Sequence, residues 1–238
     1  MALLLAMVLL RVATYNVHSC RGLDLRMKPD RIARVIQDTR ADVVALEEVR
    51  AGQAQSIAEK LGFNFVFGTA DVLGGYEFGN AILTRFPIAA HENYPIGIPN
   101  REQRACLRAD IDVPGMAAPI HIFAVHLGLG HRERQEQVAR LLKIAGPEGI
   151  LLGDFNEFTN GKVNRALIAV LKRSPKRTYP GLLPLFGLDR IYVDDRFTIR
   201  SQRLTRSWTA LFASDHVPLS AEISVAGAAP NAQSDKEK

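Results

Sequence analysis

Along the chain the spacing of apolar positions changes several times, and each change marks an element. Residues 11–19, RVATYNVHS, alternate over a β-rich run and predict a strand. Residues 29–39, PDRIARVIQDT, open on proline and place Ile32, Val35 and Ile36 at helical spacing. ADVVALEEV (41–49) reads as a buried strand that ends in two glutamates. GQAQSIAEKLG (52–62) predicts a helix closed by glycine, and FNFVFG a strand after it. GNAILTRFPIAAHENYPI (79–96) reads as two strands hinged at Pro87. ACLRADIDV (105–113) and PIHIFAVHL (119–127) flank the turn P-G-M-A and predict a hairpin. HRERQEQVARLLKIAG (131–146) is amphipathic, with Val138, Leu141 and Leu142 inward. GILLGDFNE predicts a strand and KVNRALIAVLKR (162–173) a helix. GLDRIYVDD, FTIRSQRLT and HVPLSAEISV are three further strands.

Strands outnumber helices, turns are short, and neither an internal repeat nor a long linker divides the chain. One α/β domain over residues 11–225 is expected, with mixed or antiparallel sheets packed on each other and helices outside. Residues 1–10, MALLLAMVLL, are an apolar N-terminal extension. It falls short of the roughly 20 residues that cross a bilayer and lacks a basic n-region. A strand extension or a weakly membrane-touching end is expected there. Residues 226–238 read as a disordered tail.

Composition adds three constraints. At 47% hydrophobic and 23% charged residues in 238, the chain can bury a sizeable core. The net charge of +5 favours an anionic partner such as phosphate, nucleic acid or an acidic membrane surface. Two cysteines, Cys20 and Cys106, make neither a disulfide framework nor a zinc site, which suits reduced thiols in a reducing compartment. A cytoplasmic location is expected, with membrane-peripheral attachment left open by the apolar N-terminus.

The chemistry concentrates at strand ends: Asn16 with His18, Glu47 with Glu48, His126, Asp154 with Asn156, Asp189, and Asp215 with His216. Apolar runs do not need carboxylates at their ends in order to fold. Scattered, these residues would be turns; gathered on one rim, they would make a site. Asn, Asp and Glu oxygens suit a hard divalent cation such as Mg²⁺. Histidines beside aspartates suit a charged phosphoryl oxygen. The chain has no Walker A loop, no G-x-G-x-x-G and no nucleophile elbow. That inventory points to hydrolysis by activated water with metal charge stabilisation.

At this point the sequence resembles the endonuclease/exonuclease/phosphatase superfamily, with its DNase I-like fold, in the form of a small bacterial-type member. The matching stretches are TYNVH (14–18), LEEV (46–49), GNAILTRFPI (79–88), VHLG (125–128), GDFNEF (153–158), LDRIYV (188–193) and SDHVPLSAEI (214–223). They occur in family order from about residue 11 to 225. The resemblance implies a four-layer α/β sandwich, two packed mixed β-sheets flanked by helices. It implies a phosphoesterase site at one rim that uses Mg²⁺, with Mn²⁺ as an alternative. Glu48 matches the metal-binding glutamate, Asn16 its partner, and Asp215 a contributor to the metal site. Asp154 matches the aspartate that aligns or deprotonates the attacking water, and Asn156 sits beside the phosphate. His126 matches a phosphate-facing or acid histidine. Asp189 would orient His216, which would stabilise the transition state or assist the leaving group. One departure stands out: the family often has Gln where this chain has Glu47. Glu48 is read as the ligand because it holds the matching place before Val49, with the opposite assignment left open.

Around these residues the readings stay divided. Arg104, in NREQRACLR, is either a phosphate ligand or an exposed strand-edge charge. Arg21, in the loop after Asn16, and His18 are candidate substrate contacts. Glu157 is an outer carboxylate or a loop charge, and Trp208 is expected to pack near the end of its strand. The expected reaction is hydrolysis of a phosphodiester by a nuclease or a related enzyme. The alternatives are a phospholipid or small-molecule phosphoesterase on the same site, and a catalytically silent anion-binding scaffold. Nucleic acid or phospholipid is the expected partner; the sequence names no protein partner.

Overall fold

The computed structural model describes residues 7–145, 148–158, 161–173 and 176–227. In chain order the elements are β1 (Met7–Asn16), α1 (Pro29–Thr39), β2 (Val43–Arg50), α2 (Ala51–Leu61), β3 (Asn64–Leu73), β4 (Tyr76–Thr84), β5 (Ile88–Pro95), β6 (Ala105–Ile111) and β7 (Ile120–His126). They continue with α3 (His131–Ala145), β8 (Ile150–Asp154), α4 (Lys162–Ile168), β9 (Lys172–Arg173), β10 (Asp189–Val193), β11 (Phe197–Leu204), α5 (Trp208–Leu211) and β12 (Leu219–Ala226). Two six-stranded sheets result, in the orders β11-β12-β1-β2-β4-β3 and β5-β6-β7-β8-β10-β9. This is the expected DNase I-like sandwich. Pro87 is the hinge at which the chain passes from the first sheet to the second.

The period-2 alternation of the strands builds the layers. Val12, Val43, Ala45 and Ile82 of the first sheet face Leu107, Ile122, Ala124, Ile150, Leu152 and Ile191 of the second. The residues between them in sequence point outward. Ala13, Tyr15, Val44 and Leu46 pack under α1 and α2 through Ile32, Ile36 and Ile57. Phe123, Val125, Leu151 and Tyr192 pack under α3 and α4 through Val138, Leu141, Val163 and Leu167. Each fully buried side chain of this size stabilises the fold by about 1.5–3 kcal/mol. Strands buried on both faces read as nearly continuous apolar runs.

Register places the strand ends. β1 runs parallel to β2, with Asn16 opposite Glu47. β7 runs parallel to β8, with His126 opposite Asp154. β10 is antiparallel to β8, so its first residue, Asp189, also lies opposite Asp154. β12 is antiparallel to β1, with Leu219 opposite Thr14, which brings the Ser214–His216 segment to the same rim.

Several local expectations change. The helix expected over 162–173 ends at Ile168, because Lys172 and Arg173 pair with Val193 and Tyr192 as β9. Trp208 does not pack against its strand; it begins α5 and is 80% exposed. Residues 7–10, by contrast, form the strand extension expected of the apolar N-terminus: they are the first part of β1 and pair with Ile223–Ala226. Residues 1–6 and 228–238 lie outside the described residues. Cys20 and Cys106 are buried and free. Among the described residues no helix is long and apolar enough to cross a membrane.

Candidate active site

The inward-facing rows of the central strands stay apolar until the rim and then turn polar. On β1 the row runs Val12, Thr14, Asn16; on β2 it runs Val43, Ala45, Glu47. On β7 it ends in His126, on β8 in Asp154, and on β10 it begins with Asp189. All of these polar residues are buried. Gly153 lets β8 come close to β7: its φ is +152°, and a Cβ there would lie 1.8 Å from the Val125 carbonyl oxygen.

Glu48 breaks the alternation. The β2–β4 register shifts between Leu46 and Val49, and Glu48 has φ +52°. Strict alternation would send this side chain outward; the bulge returns it to the rim. There Asn16 Nδ2 donates to Glu48 Oε1 at 3.0 Å and to Asp154 Oδ2 at 3.0 Å. His18, Ser19, Cys20 and Asn156 also have positive φ. Such conformations cost about 1–3 kcal/mol each and gather at functional sites.

Asp189 Oδ2 lies 2.8 Å from His216 Nδ1, which fixes the imidazole with Nε2 facing Asp154 Oδ2 at 3.8 Å. Burial disfavours the His216 cation, yet the charges of Asp189, Asp154 and Asp215 together outweigh it and carry its pKa up to about 10. Asp154 is pushed up to about 6, first by burial and then by Asp189, against the opposing charge of His216.

His126 behaves oppositely. Burial, with the charges of Arg104 and His216, holds it well below the usual histidine range, so the ring is neutral. Arg104 Nη1 lies 3.1 Å from His126 Nδ1. Both ring nitrogens meet N–H groups, which disfavours the cation: the Arg104 guanidinium faces Nδ1, and the Asn156 amide, at 3.0 Å, faces Nε2. That nitrogen is 3.8 Å from both Glu48 Oε1 and Asp154 Oδ2. Asn156 is set beside the ring: its backbone N–H donates to Asp154 Oδ1 at 2.9 Å and its amide to the Leu127 carbonyl at 2.8 Å.

The donor set fits a divalent cation. The Asn16 amide nitrogen lies between two carboxylate oxygens, where a positive charge is favoured, while its Oδ1 accepts from the His18 N–H at 3.1 Å. Asp189 Oδ1 and Glu47 Oε2 are buried without a hydrogen-bond partner among the described residues. Asp154, Asp189 and His216 also offer ligand atoms within 4.8 Å of one another. Because His216 and Asp189 are already paired, Glu48, Asn16 and Asp154 are the better-placed oxygen donors.

The remaining sequence candidates separate. Asp215 Oδ1 lies 3.1 Å from His18 Nδ1 instead of contacting Glu48. The Asp215 charge and hydrogen bond raise the His18 pKa against an opposing burial. Arg104 is buried between His126 and Glu102, so it is not an exposed strand-edge charge. Arg21 is exposed and makes no side-chain hydrogen bond or ion pair among the described residues. Glu157 is neither an outer-site carboxylate nor a loop charge: it pairs with Arg190 and accepts from the Asn164 N–H at the start of α4. Three supports, Ser214, Tyr179 and the Thr14 hydroxyl under Glu47, went unread in the sequence. Ser214 Oγ donates to the Asn16 carbonyl at 2.8 Å, and the Tyr179 ring lies 4.8 Å from that of His216. Glu47 accepts from Thr14 Oγ1 at 2.9 Å beneath the site. Only Ser214, beside the Asp215-His216 pair, carried a sequence signal.

Comparison with known proteins agrees with this geometry. The family model described as Endonuclease/Exonuclease/phosphatase family matches residues 13–216. The uncharacterized protein YbhP of Escherichia coli (strain K12) is 31% identical over 243 residues, covering 90% of this chain and 95% of that protein. Among solved structures, an endonuclease/exonuclease/phosphatase from Beutenbergia cavernae superposes with a TM-score of 0.77 at 23% identity, covering 94% of this chain and 73% of that one. The mannosyl-6-phosphatase Bt3783 of Bacteroides thetaiotaomicron superposes at 0.74 with 20% identity, covering 90% and 99%. At these identities the two structures establish the fold.

Glu47 generates a stability prediction. Burial, then the charge of Asp189, holds its carboxyl well above the usual range, with the Thr14 hydrogen bond opposing. A carboxyl kept protonated in the folded chain and ionised in the unfolded one loses stability as pH rises above about 4.5 toward its folded pKa. Glu47→Gln is neutral at every pH and nearly isosteric. In EDTA its Tm should exceed that of the parent at pH 8, by about 2–4 °C for each kcal/mol recovered, and the gap should close toward pH 4. Thermal denaturation at the two pH values checks this; a gap that widens on acidification contradicts it.

Proposed function

The chain belongs to the endonuclease/exonuclease/phosphatase family, and from that premise we propose that it hydrolyses a phosphodiester. Asp154 would activate the water, and a divalent cation, Mg²⁺ or Mn²⁺, would be held by Glu48 and Asn16. The observation that carries this reading is the place of Asp154 Oδ2. It lies 3.8 Å from Nε2 of both His126 and His216, and 3.0 Å from the Asn16 amide. A phosphate ester approaching these atoms would meet one base and two imidazole Nε2 atoms that converge from opposite sheets. The gathering of these residues on one rim argues against a catalytically silent anion-binding domain.

The cation supplies Lewis-acid charge neutralisation for the phosphoryl oxygens. The protein's own groups divide the rest. Asp154, with its pKa pushed up to about 6, is basic enough near neutrality to accept the proton of the attacking water. His216, kept protonated by Asp189, donates from Nε2 to a phosphoryl or leaving-group oxygen. His126 faces the phosphoryl group as a neutral ring, and Arg104 acts through it by disfavouring its cation. Preorganised donors of this kind cost no reorganisation as charge develops.

Two measurements test the roles. Asp154→Asn and His216→Ala, correctly folded, should each lose roughly 10²–10⁴-fold in Mg²⁺-dependent turnover of bis-p-nitrophenyl phosphate. Parental rates in either variant contradict the assignment. In ¹⁵N NMR of the parent, His126 should resist protonation. In Arg104→Met, which keeps the bulk and removes the charge, His126 should titrate closer to the ordinary value of about 6.5. An unchanged titration would show that Arg104 does not set the state of the ring.

A further inference from the structure

Most of the large apolar side chains exposed among the described residues lie at the site end of the two sheets. The loop after β1 carries Leu25, 69% exposed, and the loop after β7 carries Leu129, 74% exposed. Leu182 and Leu183 project before β10, and Trp208 lies in the stretch leading to β12. The exposed apolar residues away from this end are Met7 and Leu9 early in β1, and Ile168 and Val170 at the far end of α4.

Four of these loops adjoin one another. The ring of Phe158, after β8, lies 5.0 Å from that of Phe186, before β10. The Gly181 N–H donates to the Asp215 carbonyl at 2.7 Å, which seats the 180–186 segment directly beside the site. Arg206 Nη2 reaches the Leu182 carbonyl at 3.5 Å, and the Arg31 guanidinium donates to the Phe212 carbonyl. Between the loop after β1 and α5 opens a cavity of about 660 Å³, in which Met27, Trp208 and Phe212 meet Lys28 and Arg34.

Exposed cations stand among these apolar groups: Arg21, Arg26 and Lys28 on one side, and Lys176, Arg177 and Arg206 on the other. Two carboxylates line the same cavity, and both are paired: Asp24 with Arg31 at 2.7 Å and Asp30 with Lys60 at 3.0 Å. An exposed apolar surface flanked by several basic side chains marks an interaction site. Its composition selects the occupant. Branched aliphatic side chains such as Leu25, Leu129 and Leu182 cannot stack on bases and have nothing to gain from a nucleic-acid backbone. A bilayer buries them, seats a tryptophan at the headgroup level, and attracts the flanking Lys and Arg when its lipids are anionic.

We propose that this rim is a membrane-docking surface that seats on an anionic phospholipid bilayer and presents a lipid phosphoester to the site. The substrate half rests on the phosphoesterase reading, whereas docking rests on the rim alone. In the reaction the water oxygen bonds to phosphorus as the ester P–O bond breaks. The water proton ends on the leaving alcohol, and a phosphomonoester remains.

Trp208 is the only tryptophan of the chain, so its emission reports on the rim directly. The full protein is mixed with vesicles of phosphatidylglycerol and phosphatidylcholine, and separately with phosphatidylcholine alone, in the presence of Mg²⁺. Expected results are a blue shift of Trp208 emission and co-sedimentation with the anionic vesicles, weaker with the neutral ones. L182S/L183S, and independently Leu25→Ser, should reduce vesicle partitioning by roughly tenfold or more. Turnover of soluble bis-p-nitrophenyl phosphate should stay at the parental rate in these variants. Absence of vesicle binding while soluble turnover persists overturns docking and leaves the phosphoesterase reading intact. Binding with no release from lipid, while soluble turnover persists, overturns the lipid substrate. Binding with no turnover of either overturns the phosphoesterase reading on which that substrate rests. Undiminished partitioning of the leucine variants, or retention on single-stranded DNA in preference to vesicles, overturns the role of the rim.

Discussion

Negative charge buried at one end of an apolar layer is the constraint on which the rest of the site depends. The slab between the sheets is aliphatic until its last residues, and there Glu47, Asp154 and Asp189 are all buried. Carboxylates so placed repel one another and lack solvent, so they must be neutralised, paired or supplied with a cation. Each device is present. Glu47 is held protonated, Asp189 is paired with His216, and Asp154 shares the Asn16 amide with Glu48. His126, excluded from protonation by Arg104, adds no compensating charge of its own. The remaining imbalance is what a divalent cation would meet.

The two histidines show how one rim assigns opposite states to one residue type. His216 faces carboxylates and is a cation; His126 faces a guanidinium and is neutral. Both present Nε2 to the same oxygen of Asp154, from different sheets. The site is thus carried on strands held rigidly by the core, while the outer loops are free to carry apolar groups into solvent. That division suits chemistry on an ester delivered at a surface.

What could be read from the sequence follows the same physics. Apolar runs that end in Asn16, Asp154 or Asp189 point to the rim, because period-2 alternation fixes which face each residue takes. The order of the motifs adds the pairing of the strands. Glu48 against Glu47 could not be decided by alternation, since a bulge and a positive φ overrule it at that residue. Arg104 was ambiguous because its partner, His126, lies on a neighbouring strand and its burial depends on the packing of two sheets. Glu157 was ambiguous for a similar reason: its partner Arg190 comes from β10. Trp208 was misplaced because an exposed tryptophan contradicts the ordinary preference for burial, and that contradiction is itself informative. The apolar rim could not be seen at all, since its members are scattered through five loops that only the fold assembles.

The proposed cation site of Glu48, Asn16 and Asp154 can be examined by titrating the apo-protein with Mn²⁺, followed by electron paramagnetic resonance. The free Mn²⁺ signal should be lost stoichiometrically in the parent, with at least about tenfold weaker binding in Glu48→Gln, as expected when one charged oxygen ligand is removed. Equal affinity in the two proteins, with Glu48→Gln folded, would contradict it.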